Sequence, residues 1–215
     1  MRSIDLIHHQ ISLEYQLDLN GLLVPFPGST EQALYIVYRY SQGYVPYFNH
    51  QLRTKVCRHL LSLGPKGAFD QPGEVIKLIS ENHHPCKGGD EIYQSGYFTK
   101  LPVLDELPVF TWESEAWVVK VSGRVVSKTI SIRQNENCAE AYVETHPDFR
   151  RKGYGRQTAT AWARDILNSG RVPFYSYQLS NRASAALASG LGVIRFADVV
   201  VYDPVESLER NNKIK

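Results

Sequence analysis

The fold of this chain is indicated most strongly by the segment Arg150-Arg151-Lys152-Gly153-Tyr154-Gly155-Arg156. It lies between a β-rich run that ends at His146 and an amphipathic run that begins near Gly155. Two glycines separated by one residue let the backbone turn without a Cβ clash and approach an anion closely. The first N–H groups of the following helix would point outward, and the basic side chains would attract a polyanion. The segment therefore predicts a phosphate-binding turn between a strand and a helix.

Two other phosphate-binding motifs do not fit this segment. The P-loop requires G-x-x-x-x-G-K-[ST], and the dinucleotide-binding fingerprint requires a third glycine three positions after the second. That position is Thr158 in this chain. Both of these nucleotide-binding classes are therefore excluded.

The runs on either side of the turn predict its structural context. The predicted elements are strands at 116–121, 124–132 and 138–146, a helix at 155–168, a strand at 172–179, a helix from Asn181 to about Gly190 and a strand at 193–202. The helix at 155–168 places Ala159, Trp162, Ala163 and Ile166 on one face. The order β-β-β-α-β-α-β predicts an α/β (α+β) fold built on a mixed sheet.

The first 110 residues are punctuated by prolines and predict shorter elements. Strands are expected at 34–40 and 45–48, and a helix at 73–82. Asn49 is expected to cap a further helix that runs through Leu63. We expect residues 1–110 to form an N-terminal α/β segment that packs on a domain formed by residues 111–215.

The composition excludes several classes of function. The chain has 24 Lys and Arg against 22 Asp and Glu, so no general positive charge favours a nucleic-acid partner. No run approaches the roughly 18 apolar residues that cross a bilayer, so no membrane partner is expected. Three widely spaced cysteines, in a chain that starts without a secretory signal, favour a soluble cytoplasmic protein. His83, His84 and Cys86 offer three local metal ligands without a fourth, so no metal site is predicted.

Three motifs carry a resemblance to a known family. Arg150-x-x-Gly153-x-Gly155 is similar to the R/Q-x-x-G-x-G/A signature with which GNAT acetyltransferases bind the pyrophosphate of an acyl-CoA. The run 143–149 ahead of it resembles the strand end of that family. Asn181-x-x-Ser184-x-x-Leu187, followed by Leu191-Gly192, resembles a later family motif. The resemblance covers about residues 117–202 and places the motifs in the expected order of elements.

The resemblance implies a fold, an activity and a binding site. The fold is a GNAT-like mixed sheet with a splayed central strand pair, and the activity is N-acetyl transfer from acetyl-CoA to a primary amine by direct attack. Three groups of residues are expected to contact acetyl-CoA. They are Val143, Glu144 and Thr145 along its pantetheine arm; Arg150, Arg151, Lys152, Gly153, Tyr154, Gly155 and Arg156 at its pyrophosphate; and Asn181 and Ser184 at its border.

Two positions depart from the family pattern. Many members have a tyrosine directly after the Leu of the later motif, placed to protonate the departing thiolate, whereas this chain has Ala188. Thr145 stands where many members have an apolar residue. Another acid or water must therefore serve, and the candidate acids from neighbouring strands are Tyr175, Tyr177 and Tyr202.

Amine acetylation needs a neutral acceptor nitrogen, so a general base is expected. Strand alternation places Glu140, Tyr142, Glu144 and His146 on one face of the run 138–146, and the small residues on the buried face, unless a bulge intervenes. Glu144 is the favoured catalytic base because it lies close to the turn. His146 is the second candidate, because imidazole is a suitable base near neutral pH.

The sequence leaves the acceptor and the oligomeric state open. A small amine and the amine of a peptide or protein fit equally well. The rival function is a non-catalytic acyl-CoA-binding or sensing module, which the alanine at position 188 keeps open. Turnover of the thioester with a panel of amines distinguishes the two.

Overall fold

The computed structural model describes residues 1–100, 110–113 and 115–205 of the 215-residue chain. These residues form six α-helices: α1 Ser3–Ile11, α2 Thr54–Leu63, α3 Gly67–Asp70, α4 Pro72–Asn82, α5 Tyr154–Asn168 and α6 Arg182–Gly190. They also form twelve strands: β1 Tyr15–Leu17, β2 Leu23–Pro25, β3 Tyr35–Tyr40, β4 Gly43–Phe48, β5 Cys86–Gly88, β6 Tyr93–Tyr97, β7 Phe110–Glu113, β8 Ala116–Val121, β9 Arg124–Gln134, β10 Cys138–Thr145, β11 Val172–Gln178 and β12 Ile194–Pro204.

The chain divides into two compact units. The first unit comprises Met1–Glu14 and Tyr93–Asp198, and the second comprises Tyr15–Ile92 with the described residues from Val199 onward. Residues 194–198 of β12 therefore belong to the first unit and its remaining residues to the second. The predicted division between residues 110 and 111 stays a prediction.

The first unit contains a mixed sheet in the order β7-β8-β9-β10-β11-β6. Its neighbouring strands are antiparallel except β10 and β11, which are parallel. The parallel register joins Cys138 to Val172 and Glu140 to Phe174, and no further pair follows it among the described residues. Since both strands continue beyond these positions, they part towards their carboxyl ends. This is the predicted splayed strand pair, and the predicted mixed α/β fold is confirmed.

The core of the first unit is built around α5. Trp162 is 2% exposed, and its indole N–H donates to Ser131 Oγ at 2.9 Å. Ala159, Ala163 and Ile166 are buried beside it, as the helical spacing of the sequence predicts. One face of α5 therefore lies against the sheet, which fixes the position of the turn that precedes the helix.

Helix α1 adds to the same unit from the beginning of the chain. Gln10 is 5% exposed, and its Nε2 donates to Ser176 Oγ of β11 at 2.7 Å. The carbonyl oxygen of His9 accepts from Cys138 Sγ of β10 at 3.3 Å. Burial raises the pKa of the Cys138 thiol to about 11. This cysteine is therefore a neutral packing residue rather than a nucleophile.

The second unit has its own core, formed by β3, α2, α4 and the end of β12. Its buried residues include Tyr35, Val56, Ile79 and Tyr202. The Tyr35 and Tyr202 rings stack with their centroids 5.8 Å apart, and Tyr202 Oη donates to the Ala68 carbonyl. A long-range packing of this kind is a feature that local sequence patterns do not reveal.

Most predicted elements are confirmed to within two residues at each end, but the helix capped by Asn49 is not. Helix α2 begins at Thr54, and Asn49 lies outside it. The Asn49 side chain is 2% exposed, donates to the Ala33 carbonyl at 2.9 Å and accepts from the Gln51 N–H at 3.0 Å. Asn49 therefore ties a loop together, because its amide finds a distant carbonyl instead of a helix N-terminus.

Candidate active site

The glycine turn lies between β10 and α5, where the sequence predicts it. A 3-10 turn over Pro147–Phe149 follows β10, and Gly153 is the N-cap residue of α5. Arg151 and Gly153 have φ values of 60° and 83°, in the left-handed region. The chain thus reverses its direction within a few residues and enters the helix with its first N–H groups directed outward.

The two glycines are needed for different reasons. A Cβ added to Gly153 would meet no other described atom within 4 Å, so its requirement for glycine comes from the φ of 83°. A Cβ added to Gly155 would lie 3.1 Å from Thr145 Oγ1 and 3.6 Å from Val143 Cγ1. Gly155 therefore allows the first turn of α5 to pack directly on the end of β10.

The turn fits the diphosphate of a coenzyme. An α-helix leaves its first N–H groups without intrahelical acceptors, and its dipole places partial positive charge there. Arg151 and Lys152 are exposed beside this N-terminus. Gly153 leaves the approach open because a Cβ there would project into space clear of the described residues. These features together describe an anion site.

Two of the four basic side chains also hold the turn in shape. Arg150 Nε donates to the Thr145 carbonyl at 3.2 Å, and Lys152 Nζ lies 5.0 Å from the centroid of the Phe149 ring. Arg150 thereby ties the start of the turn to the end of β10. Arg156 lies in the first turn of α5.

A chain of hydroxyl groups joins the strands to the start of α5. Ser127 Oγ lies 2.9 Å from Thr145 Oγ1 and 3.4 Å from Thr158 Oγ1, and Thr129 Oγ1 donates to Thr158 Oγ1 at 2.9 Å. Thr158 Oγ1 lies 3.3 Å from the carbonyl oxygens of Tyr154 and Gly155. We call Ser127, Thr129, Thr145 and Thr158 the hydroxyl cluster. It gives Thr145, a departure from the family pattern, a structural role.

The predicted site residues of β10 lie on two different faces of the strand. Val143 and Thr145 lie towards α5, because both approach Gly155, whereas Tyr142 and Glu144 are exposed. The predicted simple alternation is wrong at Glu140, which is 6% exposed and pairs with Arg133 at 3.1 Å. The register between β10 and β9 shifts between Glu140 and Ala141. The extra residue of this bulge lies on β9, where Ile132 has no partner in the register with β10.

The two candidate bases have partners in the structure. Glu144 Oε2 lies 3.0 Å from Lys128 Nζ, and 54% of the Glu144 side chain is exposed. His146 Nε2 lies 2.7 Å from Arg124 Nη2. Because a guanidinium group can only donate, this imidazole nitrogen accepts and is occupied. Glu144 therefore presents the more accessible base of the two.

Helix α6 begins with the residues of the later motif. Asn181 Oδ1 accepts the Ser184 N–H at 3.1 Å, so Asn181 caps the helix as predicted. Ala188 is 3% exposed and belongs to the core cluster that contains Ala159, Trp162 and Tyr175. It is therefore located where α5, α6 and β11 meet.

The three candidate acids differ in their surroundings. Tyr175 is 4% exposed, and burial raises its pKa, an effect that a hydrogen bond from Ser184 partly offsets. Tyr177 Oη donates to Gln94 Oε1 at 2.6 Å. Tyr202 lies in the core of the second unit, where burial raises its pKa. Of the three, Tyr175 and Tyr177 lie in the part of β11 that follows Phe174, where β11 is no longer paired with β10.

His83, His84 and Cys86 contact their surroundings as packing residues. The imidazole rings lie 4.4 Å apart, and burial raises the pKa of the Cys86 thiol to about 12. In the described ranges of the chain, no three His, Cys, Asp or Glu side chains are arranged so that they could hold a metal ion. No helix within those ranges is long and apolar enough to span a membrane.

Comparison with known proteins identifies the class of this domain. Residues 116–202 match the family model of the GNAT acetyltransferases. This segment contains β10, the glycine turn, α5, β11 and α6. Residues 116–202 therefore form a GNAT acetyltransferase domain. No curated protein sequence matches the chain.

Two solved structures are similar to this chain. The chain is similar to a GNAT-family acetyltransferase from Colwellia psychrerythraea, with 12% identity and a TM-score of 0.50 over 95% of this chain and 98% of that one. A GCN5-related N-acetyltransferase-like protein from Streptococcus suis has 15% identity and a TM-score of 0.47 over 84% and 87% of the two chains. The similarity to the Colwellia protein covers nearly the whole chain, whereas the family model covers only residues 116–202.

Three features of the site were not found in the sequence: Lys128 beside Glu144, Arg124 beside His146, and the hydroxyl cluster. Lys128 and Glu144 are opposite one another in the register of β9 and β10. Pairing the two runs as a hairpin with this register would have found the ion pair. Thr158, which distinguishes the turn from the dinucleotide-binding fingerprint, also begins the buried face of α5.

Proposed function

We propose that this protein is an N-acetyltransferase that transfers the acetyl group of acetyl-CoA to a primary amine. The observation that carries the proposal is the turn at the start of α5, with Gly153 at a φ of 83° and exposed basic residues beside an open helix N-terminus. The family match makes acetyl transfer the expected chemistry. The acceptor is a small amine or the amine of a peptide, and no nucleic-acid partner is proposed.

Different residues are proposed to contact different parts of acetyl-CoA. The turn from Arg150 to Arg156 binds the diphosphate, and the backbone of β10 from Val143 to Thr145 aligns the pantetheine arm beside the parting strands. Asn181 and Ser184, at the start of α6, border the coenzyme. Acetyl-CoA supplies the acetyl group as a thioester, and the protein supplies its position relative to the amine.

Glu144 is the proposed general base. Its exposed carboxylate can hold the acceptor ammonium and take one proton from it, directly or through a water. The neutral nitrogen then attacks the thioester carbonyl carbon, a C–N bond forms and the C–S bond breaks. The departing thiolate takes the second proton that the nitrogen loses, through solvent. Lys128, 3.0 Å from Glu144, orients the carboxylate.

We also propose a cytoplasmic location. Cys57, Cys86 and Cys138 are free thiols in the structure. Unpaired thiols suit a reducing compartment.

Calorimetry and a turnover assay test the proposed function. Acetyl-CoA is titrated into the protein, and release of the free CoA thiol is followed with a panel of small amines, amino acids and peptides. Binding together with amine-dependent thiol release is expected. Absence of acetyl-CoA binding would contradict the proposal, and binding without turnover of any amine would favour the non-catalytic module.

A further inference from the structure

A tyrosine of β10 is exposed beside the proposed base. Tyr142 is 44% exposed, although β10 is an inner strand of the sheet. Within the described part of the chain, its side chain makes no hydrogen bond and no aromatic contact. A single exposed ring needs no explanation by itself, so its neighbours decide whether it has a function.

Tyr142 and Glu144 lie on the same face of β10. Ala141 is buried in the core cluster beneath α5, and Val143 packs against that cluster. Because side chains alternate along a strand, Tyr142 and Glu144 lie on the face of β10 that is turned away from α5, and both are exposed there. The two residues are about 6.6 Å apart along the strand, so a ligand that contacts the Glu144 carboxylate can also contact the Tyr142 ring.

Strand β9 adds an apolar residue next to Tyr142. Ile130 is paired with Tyr142 in the antiparallel register, and Lys128 is paired with Glu144. Paired residues of neighbouring antiparallel strands have their Cβ atoms about 5 Å apart on the same face of the sheet. Ile130 is half-buried and therefore extends the apolar surface of the Tyr142 ring. We call Tyr142 and Ile130 the apolar pair.

Glu144 is the one exposed carboxylate of β10, and 54% of its side chain is exposed. Glu140, the other acidic residue of this strand, is 6% exposed and pairs with Arg133 at 3.1 Å. One ammonium group therefore finds a counter-charge on this strand. A second ammonium beside the apolar pair would lose water without gaining a counter-charge from β10.

The apolar pair lies close to the expected position of the thioester. In the proposed binding mode, the pantetheine arm leaves the turn and runs back along β10 from Thr145 to Val143, so its thioester end comes next to Tyr142. The last paired residues of β10 and β11 are Glu140 and Phe174. Tyr142 therefore stands two residues into the opening between these strands, where ligands of open α/β sheets bind.

We propose that Tyr142 determines the specificity for the acceptor, and that the acceptor is a monoamine with an apolar group near its ammonium. This inference rests on the proposed function and names the substrate class of the same site. The ammonium binds to Glu144, and a phenyl or branched alkyl group about two carbons from the nitrogen reaches the Tyr142 ring. This contact removes apolar surface of both groups from water, and the face of the ring also attracts the ammonium.

Release of the CoA thiol with matched amines tests this inference. The acceptors 2-phenylethylamine, ethylamine and 1,4-diaminobutane are compared by their kcat/KM at saturating acetyl-CoA. The native protein is expected to prefer 2-phenylethylamine about tenfold over each of the other two, because the apolar pair covers its ring. Tyr142→Ala should reduce this preference to about twofold or less, and Tyr142→Phe, which keeps the ring, should retain it.

Ile194→Ala is the matched control. Ile194 is 46% exposed at the start of β12, which β11 and β6 separate from β10 in the sheet. This variant should keep the native preference and the native kcat/KM for each amine. The ratio of two kcat/KM values within one variant does not change with a general loss of active protein, so it separates a role in specificity from a structural role.

The outcomes separate the inference from the proposed function. An equal or reversed preference in the native protein, or an unchanged preference in folded Tyr142→Ala, overturns the inference, while turnover of any amine still supports the function. If Tyr142→Ala does not fold, Ile130→Ala removes the other half of the apolar pair, and an unchanged preference in that variant overturns the inference. Absence of amine-dependent thiol release with every amine contradicts both proposals together.

Discussion

Two strand-to-helix junctions follow the parallel strands, β10 to α5 and β11 to α6, and their helices begin differently. At α6, Asn181 Oδ1 accepts the Ser184 N–H at 3.1 Å. At α5, the N-cap residue is Gly153, which has no side chain and a φ of 83°. The second junction therefore satisfies part of its helix N-terminus internally. The first leaves its N-terminus accessible to an external anion.

Because the two helix starts differ, the first junction is proposed to bind the coenzyme, whereas the second stabilises its own helix. Arg150, Arg151, Lys152 and Arg156 lie at the first junction, where their charge adds to that of the helix N-terminus. The hydroxyl cluster fixes this helix start to β9 and β10. The second junction contributes a short capped helix that places Ala188 in the core. Changes at the two junctions should therefore have separable effects.

The largest effect is expected at the strand that leads into the first junction. Glu144→Gln keeps the shape of the side chain but removes the proposed base, so turnover should fall roughly a hundredfold. Coenzyme affinity measured by calorimetry should stay within a factor of about two, because the change leaves the turn intact. Glu136→Gln, at an exposed position of the preceding hairpin, is the control. Native turnover of a verified acceptor by Glu144→Gln across the pH range would refute this role.

A smaller effect is expected from the hydroxyl cluster. Thr158→Val removes the acceptor of the Thr129 hydroxyl and loosens the first turn of α5. CoA affinity should fall about threefold to fivefold, with kcat at saturation nearly unchanged. In the control Thr160→Val, a buried hydroxyl is lost whose hydrogen bond runs to the Arg156 carbonyl of the same helix. Equal CoA affinities in the two variants would show that the cluster does not position the turn.

The smallest functional effect is expected at the second junction, where stability should change more than coenzyme binding. Asn181→Ala removes the cap of α6 and should lower the free energy of unfolding by about 1 kcal/mol. CoA affinity should fall less than in Gly153→Ala, because the Asn181 side chain is engaged in capping α6. Chemical denaturation and calorimetry measure the two quantities. A large loss of affinity at unchanged stability would instead make Asn181 a principal coenzyme contact.

The first junction could be predicted because its signal is local. Two glycines, a basic run and a following amphipathic helix lie within about twenty residues of sequence. The partners of Glu144 and Thr158 could not be read in the same way, because Lys128 and Thr129 approach them only through sheet register and helix packing. Asn49 shows the converse error. Asparagine often caps helices, but here its side-chain amide donates to the distant Ala33 carbonyl. Only the tertiary structure decides whether the side chain bonds a helix N-terminus or such a carbonyl.

A comparison of Gly153→Ala with Gly123→Ala tests the central claim most directly. Both glycines have a φ near 80°, and an added Cβ at either would meet no other described atom within 4 Å. Both variants should therefore lose a similar stability of about 1 kcal/mol. Calorimetric titration with CoA should show a loss of affinity of tenfold or more in Gly153→Ala and native affinity in Gly123→Ala. Native affinity in a folded Gly153→Ala variant would contradict the claim that this turn binds the coenzyme.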